Sequence, residues 1–215
     1  MFDQAWEKLI YKKNKQINKY PYDWVVSATN KHIKKKLDLI ALDLGCGTGN
    51  NINFLCNYGF KKVYAVEASK TAFDTIKKKF KNKNKVKLVN KDFNYFNYKK
   101  TSFDLILDRG SITHNKISNI NSILKKINYS LKKEGYFFSV MFSKRGKFKN
   151  IKKNSYTFKN VTNDKTGLLA NFFSKKEILK LFKNFKIIDL SEVKTINYLP
   201  KKNEFATWNI ICKKK

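Results

Sequence analysis

Short apolar runs and longer amphipathic stretches alternate along most of this chain. Runs at residues 39–44, 62–67, 86–90, 103–108 and 136–142 are rich in Leu, Ile, Val and Phe and bounded by polar or Gly residues, which predicts strands. Between them, residues 50–58, 69–80 and 119–131 read as helices, the last ending at Lys132-Lys133-Glu134-Gly135 with Gly135 just past its C-terminus. Ser174, three residues before Glu177, predicts a capping box opening a helix over 174–182. Strand-like runs at 186–193 and 205–212 flank a turn containing Pro200. Such alternation predicts an α/β fold, Rossmann-like, with a mostly parallel sheet and helices on both faces.

Two stretches stand outside that rhythm. Residues 1–36 read mainly as helix, with Trp6, Leu9 and Ile10 on one face. A break follows at Tyr20-Pro21-Tyr22-Asp23, where Asp23 is placed to cap a second helix over 24–35. Residues 143–170 are polar, Lys-rich and contain Gly146 and Gly167; a loop this long in a compact domain usually has a functional role.

The candidate chemistry begins at Leu42-Asp43-Leu44-Gly45-Cys46-Gly47-Thr48-Gly49-Asn50. A strand, a Gly-rich turn and a helix open a nucleotide-binding α/β unit, and the glycines let the backbone approach a ligand closely. Asp43 narrows the ligand. A carboxylate beside the turn repels a pyrophosphate and attracts an ammonium or sulfonium group, which points away from NAD and towards S-adenosylmethionine. The chain has only 16 acids, yet each of the first four predicted strands ends at or beside one: Asp43, Glu67, Asp92 and Asp108. Ligands of such sheets sit outside the carboxyl ends of the strands.

Composition sets the outer limits. A chain of 215 residues, 42% hydrophobic, suits one domain with a full core. No apolar run approaches the ~20 residues of a membrane span. The N-terminus carries acids and no apolar core segment, so it does not read as a signal peptide. Cys46, Cys56 and Cys212 make neither a disulfide framework nor a metal spacing, and a reducing cytoplasm fits them. The net charge of +31 raises the question of nucleic acid. All but two of the 47 basic residues are lysines, the exceptions being Arg109 and Arg145, whereas phosphate and base readers favour the bidentate fork of Arg. The spread of lysines along the chain reads as compositional drift on solvated faces, and nucleic acid is not the favoured partner.

The glycine-turn string, with Asp two residues before the first Gly and after the first apolar strand, resembles motif I of class I S-adenosylmethionine-dependent methyltransferases. The resemblance implies a seven-stranded, mostly parallel sheet closed by a C-terminal antiparallel hairpin. It implies S-adenosylmethionine as cofactor, held by Asp43, Gly45, Cys46, Gly47, Gly49 and Asn50 at the turn. Glu67 with Ala68 would take the ribose hydroxyls, Asp92 and Phe93 the adenine, and Asp108 the methionine end. No metal is implied. The loop Asp108-Arg109-Gly110-Ser111-Ile112-Thr113-His114-Asn115 would border both methyl donor and acceptor. It lacks the Asn/Asp-Pro-Pro-Tyr/Phe run of many enzymes that methylate base amines. Asp108, Arg109 and His114 are its candidate catalytic residues. Arg109 suits either a substrate anion or a structural tie to an acid, and His114 either a general base or a loop hydrogen bond.

The N-terminal string around Trp6, Ile10-Tyr11-Lys12, Asn18-Lys19-Tyr20-Pro21-Tyr22-Asp23 and the Asp108-Arg109-Gly110-Ser111 string resemble small methyltransferases of bacterial surface-polysaccharide gene sets. That resemblance implies a lid over residues 1–36 on a methyltransferase domain over 37–215, with 143–170 as a substrate lid. Tyr11, Asn18, Tyr20 and His114 are the candidate substrate residues. The acceptor implied is a small polar molecule, a hydroxyl of a sugar or glycan precursor, with nucleotide-linked sugars among the candidates. The alternative is an RNA or protein methyltransferase gripping a polyanion with its basic surface.

Overall fold

The computed structural model describes residues 2–15, 17–34, 37–146, 157–158, 168–200 and 203–215. A one-and-a-half-turn π-helix, Trp6–Tyr11, opens the chain, and helix α1, Asp23–His32, follows. The sheet region then runs β1 (Ile40–Leu44), α2 (Asn50–Tyr58), β2 (Lys62–Glu67), α3 (Lys70–Lys79), β3 (Val86–Asn90), β4 (Phe103–Arg109), α4 (Ile117–Ser130) and β5 (Leu131–Ser143). Two short strands, β6 (Thr157–Phe158) and β7 (Leu168–Leu169), pair with each other. The chain closes with β8 (Phe172–Phe173), α5 (Lys175–Leu181), β9 (Phe185–Asn197) and β10 (Asn203–Lys214).

The main sheet has the order β3-β2-β1-β4-β5-β10-β9, with β8 pairing parallel to the end of β5 as an eighth strand. Strands β1 to β5 are mutually parallel, and β10 is antiparallel to both β5 and β9. Alternate residues of β1 and β4 feed two cores. Leu42, Leu44 and Ile106 pack with α4 and α5 through Ile123, Ile127 and Ile178. Ala41, Leu105 and Leu107 pack with α1, α2 and α3 through Val25, Ile52, Leu55 and Ile76. Burial on both faces is why these strands read as nearly continuous apolar runs.

Several elements depart from expectation. Residues 1–36 are less helical than the pattern predicts: 12–22 lack regular structure among the described residues, and α1 stops at His32. Asp23 is the first helical residue and not the cap; Tyr22 occupies that position. His32, at the end of α1, is half-buried against the rings of Tyr136 and Phe138. Gly135 does not follow helix α4, which ends at Ser130. It lies inside β5, where a Cβ would come within 2.7 Å of the Phe103 carbonyl oxygen. The β9–β10 hairpin extends well beyond its two apolar runs, because the outer half of β9 is exposed and carries no buried face to mark it. The capping box at Ser174 and Glu177 is present. No helix among the described residues is long and apolar enough to cross a membrane.

Candidate active site

A cavity opens at the carboxyl ends of β1, β2 and β4, walled by the Gly-rich turn and roofed by the N-terminal segment. Of the residues singled out in the sequence, Asp43, Gly45, Cys46, Gly47, Asn50, Glu67, Ala68, Asp92, Phe93, Arg109, His114, Tyr11 and Asn18 line it.

The turn is fixed by its own backbone. The N–H groups of Gly45 and Cys46 both donate to the Val66 carbonyl, at 2.9 and 3.1 Å. Gly47, at φ +55°, leaves room for the Tyr11 hydroxyl, which a Cβ there would approach to 2.9 Å. Glu67 accepts the Gly47 N–H on Oε2 and the Ser69 N–H on Oε1, both at 2.8 Å. Burial pushes its pKa up to about 6, against the pull of those donors.

Asp43 is a buried acid with two other acids nearby. It is 1% exposed, and its Oδ2 has no hydrogen-bond partner among the described residues. Burial first, then the charges of Asp108 and Glu67, pushes its pKa up to about 8. A buried carboxylate with a free oxygen at a cavity wall is poised for a cation or a donor from the ligand.

Asp108 lies behind the wall and does not line the cavity. Its Oδ1 accepts from the Ser111 N–H (2.8 Å), the Ser111 hydroxyl (2.5 Å) and the Ile112 N–H (3.0 Å), and its Oδ2 from the Ser139 hydroxyl (2.8 Å). It shapes the loop after β4 and adds no surface to the cavity lining. Gly49 also sits outside the cavity, packed against Phe80, Ile76 and Ile52. The Tyr20 side chain is 81% exposed; only its carbonyl serves, accepting from Asn50 Nδ2 at 3.1 Å.

His114 ends a 3-10 turn over Ile112–His114. Its Nδ1 lies 2.6 Å from the Leu169 carbonyl. A carbonyl can only accept, so Nδ1 carries the proton and Nε2 keeps a lone pair. Burial pushes the imidazole pKa down to about 4, so it is neutral at pH 7. Trp6 and Phe142 pack edge-to-face on the ring at 4.8 and 5.3 Å. Asn171 clamps the same loop, donating to the Thr113 and Asn115 carbonyls. Asp92 accepts from Asn94 N and Nδ2 and so holds the turn that presents Phe93.

The roof is tied down at several points. Glu7 accepts from the hydroxyls of Ser69 and Thr71 at 2.6 Å, at the start of α3. Asp3 Oδ2 accepts the Leu169 N–H at 3.0 Å. Asn51 Oδ1 accepts the Tyr22 N–H, and Thr48 donates to the Asn18 carbonyl. Phe2, Asp3 and Asn51 line the cavity without having been singled out in the sequence, and Thr48, Tyr22, Ser111 and Asn115 line it though sequence reasoning assigned them no individual role. The signal available was polar residues, Thr48 and Asn51, at the start of α2 where the strand–turn–helix pattern already faces a ligand. Of the insertion, Lys147, Lys149, Lys152 and Lys153 lie outside the described residues, and Lys144 pairs with Glu177 at 2.7 Å.

Residues 41–135 match the family described as methyltransferase domain. No curated protein sequence matches the chain. Many solved structures share the fold. One is an S-adenosylmethionine-dependent methyltransferase from Methanosarcina mazei, at 18% identity and TM-score 0.71, covering 91% of this chain and 98% of that one. Another, also an S-adenosylmethionine-dependent methyltransferase, comes from Anabaena variabilis, at 17% identity and TM-score 0.69, covering 99% and 94%. A third is the Burkholderia thailandensis 1,6-didemethyltoxoflavin-N1-methyltransferase, with its substrate and S-adenosylhomocysteine bound. It is 16% identical with a TM-score of 0.66, covering 98% and 81%. The fold is that of S-adenosylmethionine-dependent methyltransferases, and the family match spans β1 to the start of β5.

Proposed function

We propose that the chain is an S-adenosylmethionine-dependent methyltransferase acting on a small polar acceptor, a hydroxyl of a sugar or surface-glycan precursor. The observation that carries the cofactor assignment is Asp43, whose buried Oδ2 lacks a partner among the described residues at the wall of the cavity. The family match over residues 41–135 and the shared fold support the same reading. The residues present suit the cofactor. Asp43 answers its cationic end, Glu67 has lone pairs left for the ribose hydroxyls, and Phe93 with Asp92 offers a flat wall for adenine. When bound, S-adenosylmethionine supplies a methyl group already activated on sulfonium.

The chain's own contribution is then largely positioning and exclusion of water. Trp6, Tyr11 and Tyr22 roof the cavity, and His114 presents its neutral Nε2 for the acceptor proton. The RNA or protein alternative calls for lysines on the cavity, and no lysine is among the described residues lining it.

Calorimetric titration with S-adenosylmethionine and S-adenosylhomocysteine in moderate salt tests the reading. Micromolar binding is expected for the wild type, with a loss of at least tenfold in Glu67→Ala, which removes both the ribose acceptor and the tie to Gly47. Lack of binding to either ligand by the wild type would sink the proposal. Nucleotide sugars are the first acceptors to screen.

A further inference from the structure

We infer that Arg109 is the anion-reading residue of this cavity, taking a carboxylate or phosphate group that the cofactor or the acceptor carries in. The inference deepens the methyltransferase reading and rests on it for the identity of the ligands. Strand β4 ends on Arg109, and Gly110, at φ +80°, turns the chain immediately afterwards. The guanidinium carbon sits 4.0 Å from the centre of the Tyr22 ring. Tyr22 is itself held, its hydroxyl accepting from Asn18 Nδ2 at 2.8 Å. One face of the guanidinium is therefore parked on an aromatic ring, and its in-plane N–H fork is left for other partners.

Among the described residues nothing takes that fork. The neighbouring carboxylate, Asp108, is occupied by Ser111, Ile112 and Ser139. The other arginine, Arg145, is paired with Glu192 at 3.2 Å. In a chain with 45 lysines and two arginines, one arginine stands at this wall, where the other titratable ring nitrogen, on His114, is neutral. A partly buried guanidinium whose fork has no hydrogen-bonded acceptor among the described residues calls for an anion, and the planar fork suits carboxylate and phosphate. Burial pushes the Arg109 pKa below its usual value, in the direction an unpaired buried cation shows.

The test titrates wild type, Arg109→Met, Arg109→Lys and Arg145→Met with three probes: S-adenosylhomocysteine, decarboxylated S-adenosylmethionine, and inorganic phosphate with and without saturating S-adenosylhomocysteine. Melting curves confirm that each variant is folded. If the cofactor supplies the anion, Arg109→Met loses at least tenfold in affinity for S-adenosylhomocysteine and little for the decarboxylated ligand, with Arg109→Lys between. If the acceptor supplies it, cofactor affinity is unchanged and phosphate binding is lost in Arg109→Met but kept in Arg145→Met, which controls for non-specific attraction to the basic surface. Equal binding of all probes by wild type and Arg109→Met overturns the inference. Failure of the wild type to bind S-adenosylhomocysteine would instead defeat the methyltransferase reading, and the phosphate comparison would still judge Arg109.

Discussion

Replacing Asp43 with asparagine is expected to weaken S-adenosylmethionine binding at least 100-fold, about 2.7 kcal/mol, and to make the ligand-free protein more stable at pH 8. The two effects have one cause. Asp43 is buried beside Glu67 and Asp108, and its pKa stands at about 8. Its folded pKa is raised above the unfolded value, so the fold favours the protonated form. That contribution is full below about pH 4 and is lost as pH rises through 8. Near pH 8 the wild type begins to hold a buried, unpartnered negative charge, and asparagine does not. The thermal midpoint of Asp43→Asn should therefore exceed that of the wild type by more at pH 8 than at pH 5.5, with the gap closing only near pH 4. A cationic ligand reverses the balance, because it compensates the carboxylate directly and gains nothing comparable from an amide. Titration and melting at both pH values check the pair of outcomes. Unchanged affinity would mean that the free Oδ2 does not face the ligand.

The strands that position Asp43, Glu67 and Arg109 were legible because they are buried on both faces. Ala41, Leu42 and Leu44 in β1 and Leu105, Ile106 and Leu107 in β4 are all fully buried, so each strand reads as an apolar run interrupted by acids. The acids at their ends stand out against that background. Contacts between distant segments were not legible in the same way. Trp6 packs on His114, Asp3 holds Leu169, and Glu7 caps the start of α3, each across a long sequence gap. No local period encodes those contacts. Strand β8 escaped for another reason: two residues, Phe172 and Phe173, are too few to show a period. Asp108 shows where a motif reading needs geometry. Its place at a strand end matched the other acids, but Ser111 and Ser139 supply enough donors to hold it behind the wall. The lysines taught the converse lesson: abundant along the chain, they are not among the described residues of the cavity lining.

Two of the turn glycines, Gly49 and Gly47, look alike in sequence and are expected to fail differently. Gly49→Ala should lower the thermal midpoint by roughly 5–15 °C while leaving cofactor affinity of the folded protein within about threefold. Gly49 is the N-cap of α2 at φ +78°, a left-handed conformation that costs an alanine about 1–2 kcal/mol. Its Cβ would also stand 2.7 Å from Phe80 Cε2, 2.9 Å from Ile76 Cγ2 and 3.2 Å from Ile52 Cδ1. All three are buried, so none can swing clear, and overpacking adds about 1–3 kcal/mol. Gly47→Ala shares the strained φ, but its Cβ meets the far end of Tyr11, a side chain of the roof that can move. Its smaller stability loss should come with a larger loss of affinity, because displacing Tyr11 opens the cavity over the ligand. Melting and titration of the two variants side by side separate these roles. A Gly49→Ala protein that melts like the wild type but no longer binds cofactor would return that glycine to the binding site.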